Sequence, residues 1–144
     1  MDQKIKNYIL TQPAERQSIL SDIHSIILDQ DKSVSSEIEP MMGKEMIIYK
    51  CNEMMKYGLA GVKNYMSLHV LPIYGSKTLF EKYKSLLTKA NFQKGCINFD
   101  AGEKMPLDIV RQLISDCSKV DLKKIREDQL NERKLRAKAK KHEG

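Results

Sequence analysis

Residues 58–72 read GLAGVKNYMSLHVLP, and the second half of that stretch alternates with period two. Tyr65, Ser67 and His69 point one way while Met66, Leu68 and Val70 point the other, as in a strand with only one face of its sheet buried. The stretch predicts a hairpin: one strand up to about Val62, a tight turn at Lys63-Asn64, and a return strand ending near Leu71 and Pro72.

Upstream, residues 46–51 (MIIYKC) form a β-rich run, and Asn52-Glu53 is a two-residue turn into a strand over 54–62. Residues 34–38 predict a further short strand, broken by Pro40. Before these, residues 5–10 read as one or two helical turns, and Pro13 suits the first position of a second helix, where its missing N–H costs nothing. Ile19, Leu20, Ile23, Ile26 and Ile27 give that helix one apolar stripe. His24 falls at the stripe's edge and is expected to be partly exposed; Asp22, Asp29 and Asp31 lie off the stripe or beyond it.

Downstream, Ser76 suits the N-cap of a helix with Leu79, Phe80, Tyr83, Leu86, Leu87 and Ala90 on its buried face. Lys94-Gly95 leads into a short strand over 96–99, with Ile97 and Phe99 on one side. Pro106 opens a helix whose stripe is Leu107, Val110, Leu113, Ile114 and Cys117, with Cys117 a small core residue. Beyond Val120 the apolar positions Leu122, Ile125, Leu130 and Leu135 keep no steady heptad, yet residues 121–140 are rich in helix formers, which predicts a protruding or frayed helix. The expected architecture is α+β: a single antiparallel β-sheet of about five strands with helices packed on one face. Residues 1–120 form the domain and residues 121–144 a basic tail.

The 144 residues, 41% hydrophobic and 31% charged, are enough for one domain with its own core. No apolar run approaches the roughly 20 residues of a membrane helix, and MDQKIKNYIL lacks the pattern of a signal peptide. Cys51, Cys96 and Cys117 are widely spaced without a CxxC, as expected of reduced thiols in a cytoplasmic protein. The net charge of +6 is local: Arg133, Lys134, Arg136, Lys138, Lys140 and Lys141 stand against Glu143 alone, while residues 1–132 hold 19 basic and 18 acidic side chains. Such a tail suits non-specific, salt-dependent association with nucleic-acid phosphates.

GLAGVKNYMSLHV, followed by KGCINF and then PLDIVRQLI, resembles the YdhG-like family over roughly residues 3–118. The resemblance implies a small α+β domain reminiscent of frataxin, of a family long catalogued without an assigned function, some of whose members are described as frataxin-like intracellular iron chaperones. The chain has Glu39-Pro40-Met41-Met42-Gly43 where many relatives carry an aromatic-Gly-Met-Pro segment, so no ligand role carries over there.

An iron-chaperone role calls for hard oxygen ligands for Fe(II); Asp22, Glu37 and Glu39 are the candidates, with Asp29, Asp31, Glu45 and Glu53 also acidic. They are scattered, and Lys32 and Lys44 lie among them. The sheet's polar face is a sharper candidate. Tyr65, Ser67 and His69 lie on it, and Cys96 and Asn98 are expected to join from the last strand, with Lys63 and Lys94 near the rim as anion-binding charges. With helices covering the other side, this face is open to a small ligand, a protein partner or a second copy of the chain. His, Cys and Ser together suggest a nucleophilic set, but no nucleophile elbow, oxyanion loop or orienting carboxylate accompanies them. No Gly-rich phosphate loop is present, and His24, His69 and His142 lack metal-site spacing. Met41, Met42, Met46, Met54 and Met55 are expected as core or gap-filling residues. The expectation is a non-catalytic binding domain without a resident cofactor.

Overall fold

The computed structural model describes residues 1–93 and 95–143; the side chains at 125, 128, 129 and 140–143 lie outside that description. Helices α1 (Gln3–Leu10) and α2 (Ala14–Gln30) precede strands β1 (Ser35–Met41), β2 (Lys44–Cys51), β3 (Met54–Gly61) and β4 (Met66–Val70). A short α3 (Leu71–Tyr74) and α4 (Lys77–Leu86) follow, then β5 (Asn91–Gln93), β6 (Cys96–Phe99), α5 (Leu107–Ser118) and the long α6 (Leu122–Glu143). The strands make one antiparallel sheet in the order β1-β2-β3-β4-β6-β5. The expected α+β class holds, with six strands rather than five; β5 is three residues long, too short to show alternation.

Local chemistry sets most boundaries. The Asp2 carboxylate accepts from the Lys4 amide at 2.8 Å to cap α1, and Ser76 accepts from the Leu79 amide at 3.2 Å to cap α4. Pro13 sits one position earlier than expected, at the N-cap of α2. Both two-residue turns of the β1-β2-β3 meander have two positive φ values, at Met42 and Gly43 and at Asn52 and Glu53. That backbone matches the twist of the strands it joins. Pro40 does not break β1 but lies inside it, opposite Glu45; β1 is an edge strand, where a missing N–H is tolerated.

The helices cover one face. Ile47, Tyr49, Tyr57, Leu59, Met66, Leu68, Val70, Ile97 and Phe99 join one buried cluster with helical residues including Leu20, Ile23, Ile27, Val110, Leu113 and Ile114. Met66, Leu68 and Val70 thus anchor the helical layer as the alternation predicted. Cys117 lies fully buried there, and burial pushes its thiol up to about 12. Leu86 departs from expectation and is 41% exposed: α4 ends at it, and Leu87, leaving the helix as its C-cap, is the residue that turns into the core.

Two polar residues expected at the surface are buried instead. His24 is buried because Tyr49, from the sheet beneath it, places its hydroxyl 2.7 Å from the ring Nδ1. Burial holds the His24 pKa below its ordinary value and pushes that of Tyr49 well up, so the phenol donates to a neutral imidazole. Asp31 is buried against Lys56, Oδ2 to Nζ at 2.8 Å. Tyr57 donates to Oδ2 at 2.7 Å, while Ser33 donates its hydroxyl and its amide to Oδ1 at 2.5 and 3.1 Å. Burial alone would raise the Asp31 pKa; the hydrogen bonds from Lys56, Ser33 and Tyr57 outweigh it, and the net direction is down.

Lys56 reaches the helical side through a one-residue bulge. Tyr49 pairs with Tyr57 but Lys50 pairs with Met55, leaving Lys56 as the extra residue. Lys56 and Tyr57 therefore both reach Asp31 at the end of α2, and Lys56 also touches the Ser118 carbonyl at the end of α5 at 3.5 Å.

After a short break at 119–121 the chain is helical from Leu122 to Glu143, and the described side chains from Leu130 to residue 139 are all exposed, as expected of a protruding segment. Among the described residues no helix is long and apolar enough to cross a membrane.

Asp31→Ala leaves Lys56 buried without its counter-charge, and urea denaturation is expected to show a loss of about 3–5 kcal/mol. The pH dependence has two windows. With its folded pKa below about 6.5, His24 binds its proton more readily in the unfolded chain, so stability is complete above pH 6.5 and declines as pH falls below it; His24→Gln reduces that slope. Asp31, also depressed, contributes above about pH 4, and that stability is lost as pH falls through its folded value.

Candidate functional site

The sheet face without helices is assembled by register. β1 contributes Glu37, Glu39 and Met41; β2 contributes Met46, Ile48 and Lys50; β3 contributes Met55, Gly58 and Ala60. Opposite these, Ala60 pairs with Ser67 and Gly58 with His69, and β6 sets Asn98 beside Ser67 and Cys96 beside His69. The face divides into an apolar half, where Met46, Ile48 and Ala60 cluster with Met41 and Met55, and a polar half on β4 and β6. Met41, Met46 and Met55, expected as core or gap-filling residues, pack in this second cluster on the uncovered face rather than in the main core. Gly58 makes room for them: a Cβ there would lie 2.6 Å from the methyl groups of both Met46 and Met55, and 3.5 Å from the Cβ of His69.

A cavity of about 330 Å³ lies on this face. Met41, Met42, Met46, Ala60 and Val62 form one side, and Tyr65, Ser67, His69, Cys96, Asn98 and Gln93 the other, with Lys44 and Glu45 at the rim. Four residues singled out from the sequence, Tyr65, Ser67, His69 and Asn98, thus line one cavity together with Cys96. Lys63 does not; it is exposed in the β3–β4 turn, and its carbonyl accepts from Arg16 at 3.4 Å. Lys94 lies outside the described residues. Lys44 is a rim cation that the sequence does not reveal, because a proline at position 40 reads as the end of a strand before the β1–β2 hairpin. A cleft of about 580 Å³ runs between the β2–β3 turn and the α5–α6 junction, but its Lys56 is committed to Asp31.

The polar half has one consistent proton arrangement. Asn98 Oδ1 only accepts, so the Ser67 hydroxyl donates to it at 2.7 Å. Ser67 Oγ, 3.4 Å from His69 Nε2, then accepts the ring N–H. The imidazole lone pair is left on Nδ1, where the Cys96 thiol donates at 2.9 Å. Asn98 Nδ2 extends the chain to Gln93 Oε1 at 3.4 Å. Burial lowers the His69 pKa and raises that of Cys96, so at neutral pH the pair rests as thiol and imidazole rather than as an ion pair.

The metal candidates do not converge. Glu37 and Glu39 both pair with Lys50 Nζ, at 3.5 and 2.6 Å, and that hydrogen bond holds the Glu39 carboxyl below its usual range. Asp22 is exposed on α2, Asp29 pairs with Arg111 at 2.8 Å, and Asp31 is the buried partner of Lys56. Among the described residues, no three His, Cys, Asp or Glu side chains are grouped to hold a metal ion. On α6, Arg133, Lys134, Arg136 and Lys138 are exposed, while the side chains of Lys140, Lys141 and His142 lie outside the described residues.

Long-range proton–nitrogen NMR of the His69 ring is expected to show the Nε2–H tautomer and a titration midpoint below 6.5; an Nδ1–H ring would contradict the hydrogen-bond direction. Compared with models of protein families, with curated proteins and with solved structures, the chain matches none.

Proposed function

We propose that this chain is a non-catalytic binding domain that takes a small ligand in the cavity on its uncovered sheet face. The observation that carries this is the division of that cavity: a wall of methionine, alanine and valine faces an ordered row of hydrogen-bonding groups. Flexible thioether side chains adapt to an apolar body, and fixed polar groups orient a polar end. The ligand that fits is small and amphiphilic, with a carbonyl or hydroxyl that Tyr65, Ser67 or Asn98 meets. Membership of the YdhG-like family is part of the proposal; the single antiparallel sheet with helices packed on one face supports it. A cytoplasmic location is too, supported by three free thiols. The iron-chaperone alternative draws no support from Glu37 and Glu39, whose carboxylates are occupied by Lys50.

A thermal-shift screen of small amphiphilic compounds tests the cavity. A ligand at a hundredfold excess over its Kd adds about 2.7 kcal/mol, a rise of several degrees. Ala60→Trp, which fills the apolar side, is expected to abolish that rise while keeping the circular-dichroism spectrum; protection that survives the substitution places the ligand elsewhere.

A second reading, independent of the cavity, is supported by the exposed Arg133, Lys134, Arg136 and Lys138 of α6: association with nucleic-acid phosphates. Removal of residues 133–144 is expected to abolish duplex binding and its steep salt dependence in fluorescence anisotropy. Unchanged binding refutes this role of the tail.

A further inference from the structure

Cys96 and His69 are partners in register on adjacent strands, so the ladder that builds the sheet also sets the thiol against the ring nitrogen. Ser67 and Asn98 orient the far side of that ring. A nucleophile within hydrogen-bond reach of a base, itself oriented by a third group, is the arrangement that activates side chains for covalent chemistry. Neither other thiol has it: Cys117 is sealed in the core, and Cys51 has no imidazole partner among the described residues.

The surroundings select the electrophile. Cys96 lies in a strand paired on both sides, with His69 and with Gln93, so the sheet takes up the neighbouring amides. Acyl transfer also needs a pair of N–H groups aimed at the tetrahedral oxyanion. Addition to a conjugated double bond makes less demand, because the new charge is delocalised onto a carbonyl oxygen. The methionine wall of the cavity suits the hydrocarbon part of such a molecule.

We propose that Cys96 captures an α,β-unsaturated carbonyl compound bound in the sheet-face cavity, with His69 as general base. This rests on the cavity being a ligand site and narrows the ligand to soft carbon electrophiles. A sulfur electron pair forms the S–C bond to the β-carbon, and the C=C π pair moves toward the carbonyl as an enolate. The thiol proton passes to Nδ1 and returns to the α-carbon. The product is a thioether with all atoms of both reactants, and no oxidant, reductant or leaving group takes part. At rest the neutral thiol is a weak nucleophile toward reagents in bulk water; the bound electrophile gains from proximity to the Cys96–His69 pair.

The test uses the full chain and N-ethylmaleimide, with modification followed cysteine by cysteine by peptide mass spectrometry. Cys96 is expected to react about tenfold or more faster than Cys51, and His69→Gln to slow Cys96 about tenfold while Cys51 is unaffected. In the unsubstituted chain, which needs no variant to fold, the Cys96 rate is expected to level off once His69 is deprotonated. Equal rates at Cys96 and Cys51, no effect of His69→Gln in a folded variant, or a rate still rising tenfold per pH unit toward pH 9 each overturn the inference. N-ethylsuccinimide, the saturated analogue, separates capture from binding. Slowing of Cys96 labelling by it supports the cavity; if it stabilises the Cys96→Ser protein while Cys96 shows no selective reactivity, capture fails and the cavity stands. Selective reactivity without saturation or protection overturns capture in the cavity as well as ligand binding there.

Discussion

The buried pair of Asp31 and Lys56 sets which way β3 faces. In an unbroken strand with Met55 turned outward, Tyr57 and Leu59 would also turn outward and the core would lose its centre. The extra residue at Lys56 resets the alternation, so Tyr57 and Leu59 point to the helices while Gly58 and Ala60 turn to the uncovered face, where Ala60 lines the cavity. A bulge that aims a lysine inward persists only if the ammonium finds a counter-charge, and Asp31 at the end of α2 supplies it. Ser33 and Tyr57 complete the carboxylate's hydrogen bonds, which offsets the cost of burying its charge. One ion pair thus joins the end of α2, the middle of the sheet and the end of α5.

The two faces follow from that alternation and have different chemistry. On the helical side, polar groups are taken in only where a partner waits, as with His24 and Tyr49 or Tyr83 and Asp116. On the other side, Ser67 is almost wholly buried without any helix above it, because neighbouring side chains and its bond to Asn98 enclose it. Cys96, His69, Ser67, Asn98 and Gln93 are linked donor to acceptor in one direction, and no link requires a charge. A neutral, directed chain beside an apolar wall is ordered in advance of any ligand, which reduces the entropy cost of binding.

Much of this was legible locally. The alternation in residues 65–70 separated Met66, Leu68 and Val70 from Ser67 and His69, since a strand's side chains alternate whatever surrounds it. Asn52-Glu53 announced its turn, and Cys117 fell on the stripe of α5. Other features were misleading because proline and charge carry strong local expectations. Pro40 looked like a strand terminator, yet at a sheet edge it displaces no ladder bond. Lys56 showed no sign of burial except its place among Met54, Met55 and Tyr57, and Asp31 looked like a solvated residue past a helix end.

The sequence by itself determined five of the six strands, the longer helices and which residues of the central hairpin share a face, because each depends on neighbours within a few positions. Tertiary structure alone decided the bulge at Lys56, the burial of Asp31 and His24, and the 2.9 Å approach of Cys96 to His69. Those depend on residues 25 to 27 positions apart in the chain meeting across packed layers or paired strands, and no local pattern encodes such a meeting. The hairpin residues Ser67 and His69 were visible as an unexplained polar row; strand β6, pairing beside them, made that row a directed chain ending on a thiol.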